Sequence, residues 1–124
     1  MSNETNKQGY VFSITNFDND PDRVAVPLVL ANNALAMGNE VLIWVTLEAV
    51  QLAKQGATDG LQPKSFPAIA ELLETFQDNG GKIGVCPPCA KTHNVTEDDL
   101  VENASWMGAA AILEQSQGRQ AAWF

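Results

Sequence analysis

The chain has 124 residues, 45% hydrophobic and 18% charged, which is enough for one domain with its own core and the wrong composition for a disordered protein. A formal net charge of -8 excludes nucleic acid and anionic membrane as main partners, since both need a basic footprint; a small molecule or a basic protein fits better. No basic-then-apolar leader opens the sequence. The longest apolar stretch, Val24 to Met37, is interrupted by Pro27, Asn32 and Asn33 and is too short to span a bilayer, so a cytoplasmic protein is expected.

Residues 1–9, MSNETNKQG, read as a polar, frayed N-terminus, and 10–124 as a single domain without repeats or linkers. Tyr10 to Thr15 is a first strand, followed by a turn-rich NFDNDPD. Asp20 before Pro21 marks a helix start, and that helix is expected to run to about Met37, kinked or delayed by Pro27 and stopped by Gly38. Val41 to Val45 is an unbroken apolar run, the pattern of a parallel strand buried on both faces. Thr46 then starts a short helix, Leu47 to about Lys54, and residues 56–65 form a long loop that serves as a lid, an oligomer contact or plain solvent loop. Phe66, Ile69, Leu72, Leu73 and Phe76 recur at helical spacing as a core stripe that ends at Asn79-Gly80.

Ile83 to Val85 is a brief strand that stops at Cys86, and the stretch after it holds both cysteines of the chain, Cys86 and Cys89, and its one histidine, His93. Proline is tolerated in the first turn of a helix, so Pro87 and Pro88 place a helix start directly after Cys86 and make that cysteine the N-cap. A sulfur there faces the positive end of a helix, so Cys86 is expected to favour the thiolate and be the reactive thiol. Cys89 falls on the same face, close enough to close a disulfide or act as a resolving thiol. His93 can reach Cys89 but not Cys86 across two turns of helix, so it is not assigned as a base; Lys91 adds a positive field or is merely solvated. Thr96 with Asp99 resembles a capping box that opens a short acidic helix. A strand near Ala104 to Met107, a helix from Gly108 to Gln117 and a last strand, Gln120 to Phe124, complete the pattern.

Strand and helix alternate throughout, which implies an α/β fold: a five-stranded parallel sheet with helices on both faces. Sites in such sheets lie beyond the carboxyl ends of the strands, here Thr15-Asn16, Thr46, Cys86 and Met107. Asn16, Thr46, Pro87, Pro88, Lys91 and His93 are therefore candidates to line a site centred on Cys86 and Cys89, although turn formation accounts for Asn16 equally well.

The polar first turn, the stretch DPDRVAVPLVLANNALAMGNEV, FPAIAELLETF leading into GGKIGVC, and the closing TEDDLVENASWMGAAAILE together resemble the DsrE/DsrF-like family of sulfur-relay proteins. The resemblance implies a three-layer α/β/α sandwich that assembles into trimers or hexamers. It also implies that Cys86 accepts sulfane sulfur as a persulfide from donor proteins and passes it to acceptors. Persulfide transfer needs an accessible, low-pKa cysteine and little else, so no cofactor and no metal is expected. Cys89 is a departure from relatives with a single cysteine here, because it could attack a Cys86 persulfide and release sulfide. Three other readings fit parts of the pattern. The Cys-Pro-Pro-Cys run suits thiol–disulfide exchange, Cys86, Cys89 and His93 are an incomplete zinc set, and Trp44, Trp106, Trp123 and Phe124 suit a non-catalytic interaction module.

Overall fold

The run Val41 to Val45 has no polar residue to turn toward water, and the computed structural model, which describes residues 9–124, buries it at the centre of a five-stranded sheet. The strands are β1 (Gly9–Ile14), β2 (Glu40–Val45), β3 (Lys82–Val85), β4 (Ala104–Trp106) and β5 (Gln120–Trp123), in the order β4-β3-β2-β1-β5. Every pairing is parallel. Gly9 is the first residue of β1, not part of a loose terminus; the rest of that expected segment, 1–8, lies outside the described residues.

The strand order dictates where the helices go. Three successive crossovers step from β1 to β4 in one direction, and right-handed connections put all three on the same face. These are α1 (Pro21–Ala36), then the 3-10 turn Leu47–Ala53 with α2 (Ile69–Asp78), then α3 (Pro87–Thr92). The fourth crossover returns from one edge of the sheet to the other, which sends α4 (Ala109–Ser116) to the opposite face. Packing follows this split. Phe12, Ile14, Ile43, Val45, Ile83 and Val85 pack with Val24, Leu28, Leu72 and Phe76 in the main core. Val11, Leu42 and Ile112, with half-buried Trp44 and Met107, make a much smaller cluster beneath α4. The expected sandwich is present but lopsided.

Local chemistry explains the element ends. The Asp20 carboxylate accepts the Arg23 N–H at the start of α1, and Gly38 adopts φ +90 just beyond its end. Pro27 is buried on the core side, and the helix continues past it. Three expected helices are corrected. The segment after Thr46 is the expected short helix, Leu47–Ala53, but of 3-10 type, and the one after Thr96 is a single 3-10 turn, Glu97–Asp99, in which Asp99 Oδ2 accepts both the N–H and the hydroxyl of Thr96 at 3.0 Å. The stripe helix begins only at Ile69, because Pro67 restricts Phe66 and Ala68 is extended at ψ 142. The long loop is held down: Asp22 Oδ1 accepts the N–H groups of Lys64 and Ser65, each at 3.1 Å, and Thr58 and Pro63 are buried. Among the described residues, no helix is long and apolar enough to cross a membrane.

Candidate functional site

Cys86 is fixed from both sides. Its N–H donates to Val45 O at 3.1 Å, continuing the ladder with β2, while its carbonyl accepts the Ala90 N–H at 3.0 Å and opens α3. It is thus the N-cap of α3 at the carboxyl edge of the sheet, where both the proline placement and the parallel-sheet rule put it. Behind it, Gly84 leaves room for Met107, whose sulfur would lie 2.9 Å from any Cβ added there. The helix ends after one and a half turns: Asn94 takes φ +58, a conformation asparagine tolerates, and Val95 N–H returns to Ala90 O at 2.9 Å.

The expected bias toward thiolate is corrected by this geometry. Burial of the half-exposed Cys86 thiol pushes its pKa above the ordinary value; the Cys89 N–H opposes that, and the Cys89 thiol adds to it by hydrogen bonding and charge. A local feature of the sequence limits the opposing effect. An N-cap side chain is served by the N–H groups at the second and third helical positions, and the second here is Pro88, which has none. The Cys89 amide alone is left to face the sulfur, and no cap hydrogen bond to it is closed. The Cys89 thiol is thus near enough to influence the ionisation of Cys86, and both thiols are free.

The other candidates divide. Thr46 is half-buried beside the site: its N–H donates to Ile14 O at 3.1 Å and its carbonyl accepts the Ala49 N–H at 2.9 Å. Pro87 and Pro88 are exposed. Lys91 is exposed in the last turn of α3, and His93 caps the far end, its N–H on Cys89 O at 3.1 Å. Asn16 is drawn into its own loop, its Oδ1 accepting from Asn19 Nδ2 at 2.8 Å. Among the described residues, no three His, Cys, Asp or Glu side chains come together as a metal site.

Two features of this edge went unseen in the sequence. Leu47 follows Thr46 with φ +51 and is 54% exposed, a conformation that no local signal announces in a leucine. Trp106, 38% exposed, lines an apolar groove of about 480 Å³ with Pro87, Ala90, Lys91 and Val95. Neither cysteine lines that groove. Both thiols are partly accessible at this edge.

The DsrE/DsrF-like family model matches residues 8–121. The chain is a DsrE/DsrF-like protein. Among curated proteins, the uncharacterized protein MK0008 of Methanopyrus kandleri is 33% identical over 81 residues, 65% of this chain and 64% of that protein. The uncharacterized MJ0989 of Methanocaldococcus jannaschii is 34% identical over 83 residues, covering 67% of this chain and 69% of its own length. The match thus spans a little under two thirds of MK0008. Solved structures show the same fold: the ychN protein of E. coli superposes with a TM-score of 0.78 at 13% identity, over 94% of this chain and 99% of its own. MTH1491, a protein of unknown function from Methanobacterium thermoautotrophicum, gives 0.72 at 15% identity over 95% of this chain and all, 100%, of its own.

Proposed function

We propose that this DsrE/DsrF-like protein carries sulfane sulfur as a persulfide on Cys86, with Cys89 as the resolving thiol. One observation carries the reading: a partly accessible thiol held as a helix N-cap at the carboxyl edge of a parallel sheet, with a second free cysteine three residues on, close enough to influence its ionisation. An accessible thiol suits a protein-borne donor, whose own surface completes the site. The transfer is attack of the Cys86 thiolate on the outer sulfur of a donor persulfide; the donor sulfur–sulfur bond breaks and the donor leaves as a thiolate. The Cys89 thiolate then has a choice of events within reach. Attack on the inner sulfur of the Cys86 persulfide forms the Cys86–Cys89 disulfide and expels hydrosulfide, which an external dithiol must later reverse. Without that attack, the sulfur passes on to an acceptor protein.

The closeness of the two cysteines also favours a second reading, thiol–disulfide exchange through the same pair. The exposed Leu30, Met37, Leu113 and Trp123 support assembly with further copies; that the assembly is a trimer or hexamer and works in the cytoplasm is part of the proposal. Intact mass after incubation of reduced protein with polysulfide separates the readings. A one-sulfur adduct absent in Cys86→Ser and longer-lived in Cys89→Ser is expected. If no variant holds sulfur while the wild type cycles between dithiol and disulfide, exchange replaces relay.

A further inference from the structure

The turn that leaves β2 contains a residue whose side chain and backbone disagree. Val45 lies opposite Val85 in the β2–β3 register, so Thr46 stands beside Cys86, and the turn that follows packs against α3. Ala49 N–H closes on Thr46 O at 2.9 Å, which makes Leu47 the first central residue of that turn, with φ +51. Glycine, asparagine and aspartate take that conformation readily; leucine does so against the repulsion between its Cβ and the following carbonyl. Nothing in the fold compensates, since the Leu47 side chain is 54% exposed and belongs to no core cluster. The leucine therefore costs the turn stability and leaves more than half of its own surface to solvent. A large apolar side chain held outward next to a reactive thiol is what an interface anchor looks like before its partner arrives.

The surroundings describe that partner. Glu48 follows Leu47 and Asp18 follows the end of β1, both exposed carboxylates at the same sheet edge, on a chain of net charge -8. Lys91 is the cation that α3 carries in its last turn. Exposed Pro87 and Pro88 extend the apolar surface on the other side of Cys86 without adding side-chain entropy. We propose that Leu47, with the acidic edge around it, is the docking surface for the protein that exchanges sulfur with Cys86: a partner whose persulfide cysteine is flanked by basic residues and an apolar recess. The proposal rests on the sulfur-relay reading and adds to it the kind of donor the site selects. In the docked complex, the Cys86 thiolate attacks the outer sulfur of the partner persulfide. The partner's sulfur–sulfur bond breaks, the partner leaves as its thiolate, and the outer sulfur keeps its proton in the new Cys86 persulfide.

Two synthetic peptides test this, each bearing one cysteine persulfide, flanked in one by lysine and leucine and in the other by glutamate and leucine. Transfer to Cys86 is followed by intact mass in a Cys89→Ser background, and each rate is divided by the rate with inorganic polysulfide. The lysine peptide is expected to react about tenfold faster than the glutamate peptide at low salt, with the preference largely gone near about 0.5 M salt. Leu47→Gly and Leu47→Asn, which both accept the backbone angle, are expected to lower the peptide-to-polysulfide ratio about fivefold while leaving the melting temperature equal or higher. Equal rates for the two peptides, or an unchanged ratio in both Leu47 variants, overturn the docking surface alone. Failure of every donor, polysulfide included, to load Cys86 overturns the sulfur reading beneath it.

Discussion

Replacing Pro88 by alanine restores the second helical amide, the one of the two missing at the start of α3 that an N-cap side chain would use. In the present chain, the Cys89 N–H is the remaining donor near the Cys86 sulfur, and burial holds the thiol above its usual pKa. A single N–H donated to an ionised group contributes about 1.5 kcal/mol, close to the roughly 1.4 kcal/mol that makes a tenfold change in an ionisation equilibrium. Pro88→Ala should therefore raise the thiolate fraction at neutral pH about tenfold. Nucleophilicity falls as basicity falls, with a coefficient near 0.5, so alkylation by iodoacetamide should accelerate only about threefold. Pro87→Ala should move both quantities much less, because the first helical N–H points away from an N-cap side chain. Both variants should lose about 0.5–1 kcal/mol of stability as the unfolded chain gains freedom. The assay is thiolate absorbance against pH, with alkylation rates in parallel, in a Cys89→Ser background. The parent should titrate above the ordinary thiol range, so sulfur acceptance rises with pH up to and through that range. A parent midpoint below it, or a Pro88→Ala midpoint no lower than that of Pro87→Ala, refutes the account.

Ile112 is the buried residue through which α4 holds its face of the sheet, so Ile112→Ala should cost about 2–4 kcal/mol in urea unfolding; less than 1 would mean that α4 contributes little to that face. Gly81→Ala and Gly84→Ala make a matched pair. A Cβ at Gly81 would collide with the ring of fully buried Phe76, whereas at Gly84 it meets the flexible Met107 side chain, so Gly81→Ala should be the more destabilising, by about 1–3 kcal/mol. Equal melting temperatures for the two would contradict the rigidity assigned to Phe76.

Much of this protein is legible along the chain because its signals are local. Backbone chemistry makes Asp20-Pro21 a helix start and Gly38 a stop, the all-apolar Val41 to Val45 demands burial on both faces, and two prolines after Cys86 force a helix to begin there. The same two prolines also leave the helix start short of donors. Other features are not local at all. The strand order, set by which edge β5 joins, sends one short helix to face the sheet alone and leaves Trp123 largely outward. The depth at which Cys86 is buried depends on elements far apart in sequence, and so does the direction of its pKa shift. The strained Leu47 is invisible along the chain, because a leucine after a strand carries no mark of its backbone angle. Periodicity and capping residues determine the elements of the chain, since each acts within a turn or two of itself. Solvation and contact decide the chemistry of the thiol, since they are properties of the assembled edge.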